Sequence, residues 1–254
     1  MKVSFLATAI SILSVTLLPT TVIPVQAAEL KVLAGGSIAG PLNELKTQFE
    51  RDSGHKLTIH FDSTPNLIKA VTSDAPFDLG VVPVDVFKDA AAKAKFVPGP
   101  TSDIARVGYG VAVRAGSAKP DMGTAEALKQ TLLKAQSIAT LPESAAGAYV
   151  LSVFARLGIG EEIKAKIKAQ KTPGDIPQAV AKGEAELGVF LTNVLIAPGV
   201  ELAGSFPAEL QQELLFTAAV AQATKEGDAA KALIAFLRSP AATAVIKAKG
   251  MNPG

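Results

Sequence analysis

Hydroxyl side chains set in small-residue bends are the residues of this sequence best placed to do chemistry, and the chemistry they suit is holding an anion. Ser37 follows Gly35-Gly36 and precedes Ile38-Ala39-Gly40-Pro41, while Ser63 and Thr64 follow Asp62 and precede Pro65. A short apolar run enters each bend and a helical pattern leaves it, which predicts each hydroxyl at a strand end and a helix start. The first backbone N–H groups of a helix lack helical partners, and its dipole adds partial positive charge there, so a small oxyanion or carboxylate is attracted. Pro41 suits a first helical position, with Gly40 or Ser37 as cap, and Thr64 reads as the N-cap before Pro65. Ser144-Ala145-Ala146-Gly147 and Pro173-Gly174-Asp175-Ile176-Pro177 offer two more such bends.

Transformation of the anion finds less support. Gly35 and Gly40 have P-loop spacing, but Pro41-Leu42 stands where Lys and Ser/Thr are required. No G-x-G-x-x-G and no G-x-S-x-G occurs. Asp62, Asp78 and Asp175 are isolated and define no acid–base pair. His60 is expected to face solvent, with acid–base work near the second bend as the alternative. Two scattered histidines and no cysteine give no transition-metal site, and no cofactor is expected. Tyr109 and Tyr149 read as core residues, and Arg106 as one half of an ion pair or as a partner for a ligand carboxylate.

The elements that must position these bends alternate between strand and helix throughout, which favours an α/β fold. Leu42, Leu45 and Phe49 fall at helical spacing up to Gly54, and Leu57, Ile59 and Phe61 alternate as a strand. Phe77–Val82 reads as a buried strand followed by a helix from Val86 to about Ala94. A long strand is expected over Arg106–Val113, strands over Ile138–Leu141, Leu187–Leu191 and Leu214–Val220, and a charged helix from Glu161 to Lys171. Two strands ending alike in hydroxyls beside helix starts suit a ligand site beyond the carboxyl ends of a sheet.

Residues 1–27 have a basic start at Lys2, an apolar run from Phe5 to Leu18 and small residues at Val25-Gln26-Ala27, the pattern of a secretory signal peptide. With no cysteine there is neither a disulfide nor a lipid attachment site, which places the product in the periplasm or outside the cell. Without Lys2, 24 basic side chains face 23 acidic ones, a balance that disfavours nucleic acid and membrane surfaces as partners.

These motifs together resemble the periplasmic solute-binding proteins of molybdate-type ABC transporters. The resemblance is carried by Val32–Ser37, Phe61-Asp62-Ser63-Thr64, Ala75–Leu79, Ser144–Tyr149, Gly183–Val189 and Phe236–Ala241. It implies a two-lobed α/β fold, each lobe a small sheet flanked by helices, with the ligand in the interlobe cleft. The expected division is a leader at 1–27, one lobe of 28–105 with 217–254, and a second of 106–216. It further implies hydroxyl ligands at Ser37 and Thr64, or Ser63, and backbone donors at Ala146 and Ile176; Gly36 and Asn193 are expected to bind the ligand as well. The family's tyrosine falls at Leu191, which cannot donate a hydrogen bond, so the anion stays open between a molybdate-like oxyanion and a small carboxylate. A monomer that delivers its anion to an inner-membrane ABC permease is expected. The alternative is an isomerase on the same scaffold, acting on a tricarboxylate as aconitate isomerase does.

Overall fold

The structure, a computed structural model, describes residues 27–254, so the expected leader lies outside the described residues except for Ala27. β1 (Glu29–Gly35) runs through a 3₁₀ turn at Gly36–Ile38 into α1 (Ala39–Ser53), which Gly54 closes at φ +76°. Because the turn already winds the chain, Pro41 is the third residue of α1 and neither Gly40 nor Ser37 caps it. β2 (Lys56–Asp62) leads to α2 (Thr64–Thr72), whose N-cap is Ser63; Thr64 and Pro65 open the helix, one position earlier than the Pro65 signal predicts. β3 (Leu79–Pro83) is buried along its length. After it the expected helix is broken into a 3₁₀ turn, Val84–Lys88, and the short α3 (Ala90–Lys93). The break is Asp89, whose extended backbone and carboxylate bond to the Ala92 N–H restart the helix.

The long strand expected over Arg106–Val113 is two strands, β4 (Ser102–Val107) and β5 (Tyr109–Arg114), parted at Gly108. Then follow α4 (Ala125–Lys134), capped by the Thr124 hydroxyl, β6 (Ile138–Thr140), α5 (Ala145–Arg156) and α6 (Gly160–Lys164). The charged helix expected up to Lys171 stops there, and Ile167 lies in β7 (Ile167–Ala169), parallel to β6. Tertiary pairing outweighs local propensity, because β6 would otherwise leave its edge groups unpaired. The chain continues through α7 (Asp175–Lys182), β8 (Leu187–Leu191), β9 (Val200–Ser205), β10 (Leu214–Val220), α8 (Gly227–Leu237), α9 (Pro240–Ala248) and β11 (Asn252–Pro253).

Two mixed sheets result, flanked by helices. One has six strands in the order β11-β4-β10-β3-β1-β2, the other five in the order β7-β6-β8-β5-β9. β1 pairs in parallel with β2 and β3, and β6 with β7 and β8, so β1, β2 and β6 all hand over to a helix at a carboxyl end. The chain changes sheets at Gly108 and again between Ser205 and Leu214, so the expected divisions at 105/106 and 216/217 fall inside β4 and β10. At these crossings the Gln211 amide takes the place of a strand: Oε1 accepts the Tyr109 N–H at 2.8 Å and Nε2 donates to the Tyr109 carbonyl at 2.9 Å. Among the described residues no single helix is long and apolar enough to cross a membrane.

Candidate functional site

All four bends reach one place, the fourth through Pro173 alone. A void of about 20 Å³ lies between the two sheets, lined on one side by Gly36, Ser37, Ser63 and Thr64 and on the other by Ala146. Pro83, Leu141, Pro173 and Phe216 wall it with apolar surface. The strand-to-helix turns are held close by residues with no alternative. A Cβ at Gly35 would lie 2.7 Å from Phe216 Cε1, and one at Gly147 only 1.7 Å from the Leu141 carbonyl oxygen, so α5 starts this near the β6 end only with glycine there.

Among the described residues the hydroxyls of Ser37, Ser63 and Thr64 have no hydrogen-bond partner, although Thr64 is only 8% exposed. Neither Ser63 nor Thr64 bonds to the backbone of the helix it begins. Ser144, by contrast, is spent internally: its Oγ donates to the Leu141 carbonyl at 2.9 Å and accepts the Gly147 N–H at 3.0 Å. This cap consumes the third N–H of α5 and leaves that of Ala146 unclaimed at the void. Three hydroxyl-bearing residues and Ala146 at the start of α5 therefore line one void, and each brings an uncharged donor.

No Lys or Arg lines the void, and Asp62 is the one charged residue there. Asp62 is turned to its own neighbours: Oδ1 accepts the Ser63 N–H at 2.7 Å and the Asn66 amide at 2.9 Å, while Oδ2 lies 3.4 Å from His60 Nε2. His60 faces solvent with a 60% exposed side chain. Arg106 pairs with Asp103 at 2.8 Å on its own strand. Among the described residues no three His, Asp or Glu side chains gather where they could share a cation.

The other expected site residues lie apart from the void. The Ile176 N–H is bonded to the Pro173 carbonyl at 3.3 Å, and its side chain is buried in the core. Asn193 lines a wider neighbouring groove of about 810 Å³ that it shares with Gly36, Ser37 and Pro173. Leu191 is fully buried and pairs with Tyr109 in the sheet. Tyr109 is 1% exposed and stacks near Tyr149 and Phe206; burial first, then Tyr149 and Asp85, push its phenol well above the usual range. The Tyr149 hydroxyl donates to the Leu210 carbonyl at 2.8 Å. The apolar walls at Leu141, Pro83 and Phe216 escaped the sequence reading, since nothing distinguishes them from core residues until the turns are folded together.

A cleft between two mixed sheets, lined by helix starts, fits a binding protein of the two-lobed α/β kind. The chain belongs to the bacterial extracellular solute-binding protein family, whose model matches residues 30–252. It is 32% identical to the molybdate-binding protein ModA of Azotobacter vinelandii, over 89% of this chain and 90% of that protein. It is 31% identical to an aconitate isomerase of a Pseudomonas species, over 88% of this chain and 87% of that one. Among solved structures the Azotobacter vinelandii periplasmic molybdate-binding protein superposes with a TM-score of 0.74 at 22% identity, covering 89% of this chain and 99% of that chain. The substrate-binding domain of a Clostridium difficile molybdenum ABC transporter superposes with a TM-score of 0.70 at 20% identity, covering 90% and 100%.

Proposed function

We propose that this chain captures a small tetrahedral oxyanion of the molybdate, tungstate or sulfate kind in the periplasm and delivers it to an inner-membrane ABC importer. The observation that carries this reading is the convergence of three unpartnered hydroxyls and the free Ala146 N–H on one void with no basic side chain. Such donors hold a desolvated anion through charge-assisted hydrogen bonds without forming a salt bridge. The relatives named for molybdate support the class of ligand.

In this reading the six-stranded sheet with its helices and the five-stranded sheet with its helices act as two lobes. Gly108 and the segment before β10 act as the hinge. In this reading the lobes part to admit the ligand and close on it, each contributing donors. Binding then favours the closed state by differential affinity.

The similarity to an aconitate isomerase favours a second reading, proton transfer on a tricarboxylate, in which His60 and Asp62 would act at the rim. Three carboxylates need compensating charge, and the lining offers none, with Arg106 held by Asp103. Calorimetric titration of the mature protein with molybdate, tungstate, sulfate, phosphate, cis-aconitate and trans-aconitate separates the two. We expect saturable heat with at least one tetrahedral dianion and no interconversion of the aconitates. Absence of heat with every oxyanion would overturn the first reading, and conversion of one aconitate into the other would establish the second.

A further inference from the structure

We propose that Asn193 is a latch between the lobes that sets how long the cleft stays shut, rather than a contact to the ligand; the inference rests on the two-lobed oxyanion reading above. Asn193 follows β8 on the five-stranded side, and its Nδ2 donates to the Ser37 carbonyl at 2.7 Å, 156 residues away on the six-stranded side. Among the described residues, and away from the crossing segments, it is the one hydrogen bond that joins the two lobes. A carbonyl accepts only, so the amide orientation is fixed: reversing it would set two oxygens against each other.

That orientation leaves Asn193 Oδ1 buried and without a partner. With Oδ1 unpartnered, Asn193 favours the closed state only through Nδ2, and an apolar side chain of the same bulk would leave the Ser37 carbonyl without that donor. What Nδ2 does is tie down Ser37, whose residue also lines the void. The contact around this bond is tight. A Cβ at Gly250, on the six-stranded side, would lie 2.7 Å from Ile196 Cδ1 and 3.6 Å from Asn193 Cα, and one at Gly36 would lie 3.2 Å from Pro173 Cγ. The lobes therefore cannot part without breaking the Asn193 bond, and the anion cannot leave until they part. Asn193 acts through the Ser37 carbonyl as a positioning residue, raising the closed fraction with or without ligand.

The chain has no cysteine, so one fluorophore can be placed on each lobe through K225C and E161C at exposed positions. Single-molecule energy transfer then reads the closed-to-open ratio of the unliganded protein. We expect N193A and the bulk-retaining N193L each to lower that ratio about five-fold, the worth of one hydrogen bond. N193D, which sets an acceptor against the Ser37 carbonyl, should lower it further. Molybdate dissociation, followed by stopped flow, should quicken by the same factor in N193L. An unchanged ratio in N193A and N193L, both folded by circular dichroism, would overturn the latch. If wild type ignores molybdate, tungstate, sulfate and phosphate alike while the ratio still falls, the oxyanion reading fails and the latch stands.

Discussion

Removing the Ser37 hydroxyl should damage binding and spare the fold, because that oxygen has no partner among the described residues. In Ser37→Ala the unliganded protein loses no hydrogen bond, so its stability should stay within about 0.5 kcal/mol of wild type. The bound state loses a bond between a hydroxyl and a charged oxygen, worth about 1.5–3 kcal/mol, which is a roughly 10- to 150-fold rise in dissociation constant. Thr64→Val repeats the experiment at a position only 8% exposed, where the isosteric side chain keeps the packing. Both hydroxyls face one small void, so the double variant should depart from additivity, as groups sharing a partner do. Calorimetry with molybdate, tungstate and sulfate gives the affinities, and urea unfolding without ligand gives the stabilities. Unchanged affinity in both single variants would refute the claim that these hydroxyls meet the anion. A large loss of unliganded stability in Ser37→Ala would refute the claim that the hydroxyl is uncommitted.

Gly147→Ala should cost stability and binding together, since a Cβ there meets the Leu141 backbone at 1.7 Å and forces α5 away from the void; we expect a loss of about 1–3 kcal/mol in urea unfolding with weakened anion binding. Gln211→Ala strips Tyr109 of the bonds made at 2.8 and 2.9 Å and leaves its N–H unpaired, so the urea midpoint should fall by an amount equivalent to about 1–3 kcal/mol. Tyr109 should not ionise in the folded protein. Its phenol is raised above the ordinary 10.0 by burial first and then by Tyr149 and Asp85, so it favours the folded state below pH 10.0 and opposes it increasingly as pH rises beyond. With two tyrosines and no tryptophan, near-ultraviolet titration can follow this directly: the Tyr109 share of tyrosinate absorbance should appear only with unfolding and vanish in Tyr109→Phe.

How far the molecule could be read from its residues depended on the range of the interactions involved. Gly54 as a helix stop and the buried runs of β3 and β8 are local signals, and the structure has a helix end and strands there. What failed was set by distant partners. Ile163 and Ile167 lie four apart and read as one helical face, yet Ile167 belongs to a strand because β6 lies alongside to receive it. The Arg106–Val113 run reads as one strand because nothing local announces that Gly108 passes the chain between sheets, with Gln211 filling in from 102 residues away. The turns that carry Ser37, Ser63 and Thr64 were legible because a helix start after a strand has local signs, whereas Ala146 was singled out through the resemblance alone. Asn193 was singled out only as a neighbour of ligand, because a bond to a carbonyl 156 residues off leaves no mark in sequence.

An uncharged cradle has a consequence for selection among anions. Every donor at the void is an N–H or O–H, so a guest that itself carries a proton brings a donor that only Asp62 or a hydroxyl oxygen could receive. Asp62 is already satisfied by Ser63, Asn66 and His60, which leaves it a poor acceptor for such a proton. Fully deprotonated oxyanions should therefore bind better than protonated ones of the same size. Phosphate, partly protonated near neutrality, should bind more weakly than sulfate or molybdate and gain on them as pH rises. Calorimetry of phosphate and sulfate side by side at two pH values checks this, and phosphate binding that matches sulfate at the lower pH would show that Asp62 is free to accept.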